Sequence, residues 1–126
     1  MISSLLPLSA TDYSVRLIFV NVDIPASYVY ILGNLNSIAF DFCTRQMAAG
    51  INLSDYIMRQ LPVLPPEVYT QRFKDYITPR VIELSYTSYD LKPFAEDMGY
   101  YGDPFPWDED RRAILRAELD AYYARL

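Results

Sequence analysis

The chain predicts an α+β fold that is predominantly helical, with a short N-terminal strand, a central core helix, a Pro-rich connector and C-terminal helices. Three observations lead there. Residues 15–22, Val-Arg-Leu-Ile-Phe-Val-Asn-Val, form a β-branched apolar run. From Ser27 to Met47 apolar side chains recur at helical spacing. Prolines at 62, 65 and 66 then interrupt any helix before the pattern resumes.

Each element has its own justification. The run 15–22 has the composition of a buried strand, and Ile24-Pro25 ends it. In the central helix Tyr28, Ile31, Leu32, Leu35, Ile38, Ala39, Phe42 and Cys43 form one stripe, which places both Leu35 and Phe42 inside. Asn34, Ser37, Asp41, Thr44 and Arg45 fall largely opposite, Gly33 permits close packing, and Gly50 stands at the helix stop. Ser54 can cap a short helix from Asp55 to Leu61. Residues 61–66 form an extended connector, an edge strand at most.

Pro66 and Glu67 open the next helix, with Tyr69, Phe73, Tyr76 and Ile77 as its buried stripe, and Thr78-Pro79 restarts it. Residues 90–107 hold three prolines and two glycines among aromatics, an ordered loop with one helical turn at Phe94–Met98. Asp108 caps the last helix, whose stripe is Leu115, Leu119, Tyr122 and Leu126.

Composition narrows the chemistry. With 126 residues there is enough chain for one core, and nowhere do about 20 apolar residues run together to span a bilayer. The lone Cys43 forms no internal disulfide and suits a reducing cytoplasm. With no histidine, the commonest general base and every Ser-His or Cys-His pair are excluded, and a zinc site is discounted. Four glycines leave no room for a phosphate-cradling loop. No cofactor is expected.

The net charge of −5 opposes autonomous nucleic-acid binding. It is uneven: residues 1–64 carry −1 and residues 65–126 carry −4, so any nucleic-acid face belongs to the first half. There, Arg45, Gln46, Asn52, Arg59 and Gln60 flank Gly50 and have the side chains that reach phosphates or pair with guanine and adenine edges. Polar caps and solvent-facing helix ends account for them equally well. Twelve tyrosines could stack on bases but fit core and inter-helix packing better. The cluster Glu96, Asp97, Asp103, Asp108, Glu109 and Asp110 lacks calcium-loop spacing and reads as helix-start and loop carboxylates.

One long run carries a resemblance. Ile31-Leu-Gly-Asn-Leu-Asn-Ser-Ile-Ala-Phe-Asp-Phe-Cys-Thr-Arg-Gln46, then Gly50-Ile-Asn-Leu-Ser-Asp-Tyr-Ile-Met-Arg-Gln-Leu-Pro-Val-Leu-Pro-Pro66, resembles a signature near the end of large N6-adenine DNA methyltransferases of the type IIG kind. Type I specificity subunits share a looser version. The similarity covers roughly residues 28–126. It implies a target-recognition domain in part at 1–64 and a C-terminal helical extension at 65–126, within a restriction–modification (phage-defence) enzyme.

The family's catalytic marks are missing here. The one Pro-Pro pair, Pro65-Pro66, follows Leu64 rather than Asn or Asp, and neither Lys74 nor Lys92 sits in a nuclease-type Asp…Glu-x-Lys context. The expectation is therefore a non-catalytic recognition and scaffolding segment, a truncated product, split subunit or excised domain. Its partners would be DNA, within the full enzyme, and an upstream methyltransferase domain or partner subunit. The alternative is a helical protein-interaction module without DNA contact.

Overall fold

The computed structural model describes every residue except 1, 8, 13, 14, 21–25, 49, 51 and 52. Among the described residues the fold is helical throughout: α1 (Ala26–Asn36), α2 (Ile38–Met47), α3 (Asp55–Met58), α4 (Gln71–Ser85), α5 (Lys92–Asp97) and α6 (Glu109–Tyr123), with 3-10 turns at Pro66–Val68 and Tyr89–Leu91. No helix of these is long and apolar enough to cross a membrane.

The α+β expectation is overturned. Residues 15–20 form no strand, and Val15, Leu17, Ile18 and Phe19 are exposed; residues 21 and 22 lie outside the described residues. A strand needs a neighbour to pair its N–H and C=O groups. No other segment among the described residues supplies one: residues 61–66 are also without strand structure.

The central helix is two helices. Ser37 breaks it, because its Oγ donates to the Asn34 carbonyl at 2.8 Å and accepts from the Phe40 N–H at 3.2 Å. A serine with extended backbone whose hydroxyl meets the N3 amide is an N-cap, so the chain restarts there. The restart shifts the stripe. Leu35 is buried as expected, but Phe42 is 64% exposed and Phe40, at 2%, takes the inward position.

Three helices make the main core. Val29 and Tyr30 of α1, Tyr69, Ile77 and Val81 of and before α4, and Leu119 and Tyr123 of α6 pack together. This core joins residues from both sides of position 64. Helices α4 and α6 run antiparallel: Tyr76 stacks on Tyr122, Arg80 bridges Glu118 at 2.7 Å, and Glu83 receives two N–H groups of Arg111 at 2.7 and 2.9 Å. Gly33 lets α6 approach α1, since a Cβ there would lie 2.5 Å from the Tyr123 hydroxyl. The Tyr123 Oη donates to the Tyr30 carbonyl at 3.0 Å, and the Tyr69 Oη to the same oxygen at 3.4 Å.

Pro79 does not restart a helix as expected; α4 is continuous through it and begins at Gln71, after the 3-10 turn at Pro66. The lost backbone bond is outweighed by packing on both sides, where Ile77, Val81 and Ile82 are buried. Beyond α4, Ile82, Tyr86 and Ala95 form a third cluster. There Gly99, at φ +83, closes α5: the Gly99 N–H reaches the Glu96 carbonyl and the Tyr100 N–H the Ala95 carbonyl, the paired bonds of a Schellman stop. Asp108 caps α6 by accepting from the Arg111 N–H at 3.0 Å, as its sequence position predicts.

Two predictions follow from this core. Phe40→Ala should cost about 3–5 kcal/mol in denaturant unfolding, whereas Phe42→Ala should stay within about 0.5 kcal/mol; equal costs would contradict the break at Ser37. The second concerns alkali. Burial pushes the Tyr69 phenol from 10.0 up to about 12 and raises those of Tyr123 and Tyr30 as well. A group whose folded pKa is raised stabilises fully below its unfolded value and loses that contribution as pH rises through the folded one. Stability should therefore decline from pH 10 upward, with Tyr69 contributing about 1.4 kcal/mol per pH unit between pH 10 and about 12. Urea melts paired with phenolate absorbance would check this, and Tyr69→Phe should flatten the decline.

Candidate nucleic-acid interface

The segment from Arg45 to Gln60 is positioned by a small core of its own. Leu35, Phe40 and Leu61 are buried together, with Ile31, Leu53, Ile57 and Met58 packed against them. This cluster fastens α3 to the α1–α2 corner. The buried Asn34 adds a polar tie, its Oδ1 accepting from the Leu64 N–H at 3.1 Å, so the proline-bounded connector is held back on α1. Ser54 caps α3 as predicted, accepting from the Ile57 N–H at 3.3 Å, although the helix ends at Met58 rather than Leu61.

Four of the five candidate residues lie at the surface, and Asn52 lies outside the described residues. Arg45, in the last turn of α2, donates to Asp41 at 2.6 Å, and that carboxylate raises its pKa above the ordinary arginine value. Its charge is thus already opposed. Gln46 is exposed on the next position of α2. Arg59 is exposed at the end of α3, and its backbone N–H closes the helix on the Asp55 carbonyl. Gln60 turns its amide back to the Tyr56 carbonyl at 3.0 Å. No hydrogen bond or ion pair joins Arg45 or Gln46 to Arg59 or Gln60 among the described residues. The pairs share a supporting core, not a contact.

The N-terminal segment borders α3. Arg16 meets Asp55 at 3.4 Å, beside an open depression lined by Thr11, Asp12, Val15, Leu17 and Met58. The carboxylates of Asp12, Asp41 and Asp55 offset the three arginines nearby in sequence. Counterion release needs surplus cations, and here the local charge is close to balanced.

No protein-family model matches the chain, and no curated protein or solved structure matches it either.

Sequence reasoning did not anticipate a groove of about 680 Å³ along α4, lined by Tyr30, Lys74, Asp75, Ile82, Glu83 and Tyr100 among others. Its charges are engaged. Glu83 is held by Arg111, Asp75 accepts from Gln71 at 2.7 Å, and Lys74 lies over the Tyr30 ring. Only the Gln71–Asp75 pair had a local signal in the sequence, its i,i+4 spacing; the other two join distant segments. The acidic cluster also has structural partners: Asp103 accepts from Tyr89, Glu109 from Trp107, and Glu96 pairs with Lys92. Among the described residues no three potential ligands gather round a metal position.

Replacing Asn34 by Ala should leave the Leu64 N–H without its partner at a part-buried position, a loss of about 1–3 kcal/mol. Hydrogen exchange should show the Leu64 amide losing protection before the α4–α6 amides do; unchanged protection would separate the connector from α1.

Proposed function

We propose that the chain is a non-catalytic recognition and scaffolding segment of a restriction–modification adenine methyltransferase, whose α2–α3 surface faces DNA in the full enzyme. One observation supports this most. The apolar and small polar members of the run that resembles the methyltransferase signature act together: Asn34 and Ser37 make the corner, Leu35, Phe40 and Leu61 fill it, and Asn34 ties in the connector. The charged and amide members, Arg45, Gln46, Arg59 and Gln60, are left outward. A recognition element needs this division, with a fixed interior and polar side chains free to reach a groove.

Arg59 is the leading phosphate contact, because it is an exposed cation with no ion pair among the described residues. Arg45 would have to exchange Asp41 for a phosphate. Gln46 has an amide of the kind that pairs with adenine, Gln60 would first have to release the Tyr56 carbonyl, and Asn52 has the same chemistry by sequence. A second reading, a protein-interaction module without DNA contact, draws on the exposed rings of Tyr56, Tyr89, Tyr101 and Trp107 and on the acidic second half.

A titration of duplex DNA across a range of salt tests the choice. The first reading expects weak, salt-sensitive binding, with the slope of log K against log salt flattened by about one unit in Arg59→Ala. No binding at the lowest salt, or a slope untouched by Arg45→Ala and Arg59→Ala, would leave the second.

A further inference from the structure

The outward face of α6 is apolar where a solvent-facing helix ordinarily carries charge. Ala113, Ala117, Ala121 and Ala124 are exposed, and so is Ile114, at 52%. They lie opposite Leu115, Leu119 and Tyr123, which enter the core. The unpaired charges on this face stand at its ends: Asp110 in the first turn and Arg125 just past the last are both exposed and in no ion pair among the described residues, while Asp120 between them is engaged by the Ile38 N–H. Helix α2 continues the apolar surface on one flank. The Ile38 N–H donates to the Asp120 carboxylate at 2.7 Å, one turn from both Ala117 and Ala124, and the Ile38 side chain is 63% exposed.

We propose that this face is where two copies of the chain meet, α6 packing antiparallel on the α6 of the second copy about a two-fold axis at Ala117. The argument for a second copy is self-complementarity. Asp110 and Arg125 lie seven and eight positions either side of Ala117. An antiparallel two-fold therefore sets Asp110 of each copy beside Arg125 of the other, at both ends. A parallel pairing would set like charges together. Ala113 falls opposite Ala121 of the second copy, and alanine at the crossing lets the axes approach to about 8 Å. Ile38, level with Asp120, falls over the Ala113 end of the second copy and widens the contact beyond one helix. Antiparallel macrodipoles add in the same sense. The proposal is centred on α6 and does not depend on the DNA reading, although Ile38 lies on the same face of α2 as Arg45, seven positions on.

Sedimentation equilibrium on the full chain over a concentration series tests it. The chain should dimerise reversibly, and Ala117→Glu should be monomeric with an unchanged far-UV circular dichroism melt. Asp110→Arg and Arg125→Asp should each weaken self-association about tenfold, since attraction at both ends becomes repulsion. An equimolar mixture of those two variants should recover the original affinity, because each then carries the charge the other lacks. A monomer at every concentration, a dimer that survives Ala117→Glu, or a mixture no tighter than either variant alone would overturn the proposal.

Discussion

Two buried phenols converge on one carbonyl, that of Tyr30, and the arrangement of the helices depends on this meeting. Tyr123 and Tyr69 come from segments 93 and 39 residues away in sequence. Each ring brings a large apolar body with one polar atom that must be satisfied when water is excluded. The Tyr30 carbonyl, inside α1, takes the Tyr123 hydroxyl at 3.0 Å and the Tyr69 hydroxyl at a longer 3.4 Å beside its helical bond, and Tyr30 stacks on Tyr69 at 4.8 Å between ring centres. The meeting is possible only because residue 33, one turn on, has no side chain.

From that point the rest is placed in sequence. With α6 fixed on α1 at Tyr123, the antiparallel register with α4 is set by Tyr76 on Tyr122, Arg80 on Glu118 and Glu83 on Arg111. The Arg80 guanidinium also lies 3.5 Å from the centre of the Tyr76 ring, so one cation serves a carboxylate and an aromatic face at once. At the other end Asp120 takes the Ile38 N–H, a free amide in the first turn of α2. The direction of α2, and with it the exposure of Arg45 and Gln46, is therefore governed by α6 as well as by the Ser37 corner.

Much of this was legible because caps and stripes are local. Ser54 and Asp108 start their helices where the sequence places them, and Leu115 and Leu119 are inside. What was missed required knowledge of distant partners. The run at 15–20 has strand composition, but a strand is a relation between segments, and the described residues offer no second one. Ser37 carries the N-cap signal, yet within a continuous apolar stripe it reads as one polar position among several, so Phe42 was placed inside and Phe40 passed over. Pro79 has the mark of a new start, but tertiary burial of Ile77 and Val81 overrides it. At the candidate site the residue types were visible in advance. The pairing of Arg45 with Asp41 was visible too, being an i,i+4 relation, whereas the tie between Asn34 and Leu64 spans a loop whose closure no local rule predicts.

The charge distribution decides what the α2–α3 surface could contribute on the proposed DNA reading. Among the described residues, six of the eleven cationic side chains form ion pairs: Arg16, Arg45, Arg80, Lys92, Arg111 and Arg116. Lys74 lies over Tyr30, and Arg112 stacks on Trp107 while donating to the Leu84 carbonyl. The cations left over among the described residues are Arg59, Arg72 and Arg125, against a net charge of −5. Phosphate affinity scales with the number of charges neutralised, and three scattered arginines supply little of it. On the DNA reading, then, the chain's part is position more than affinity. A basic surface elsewhere in the enzyme would hold the duplex, and the α2–α3 corner, stiffened by Asn34 and Leu61, would present a few amide and guanidinium groups to base edges. A rigid support with few charges suits that division, because base contacts discriminate by geometry while phosphate contacts only add strength.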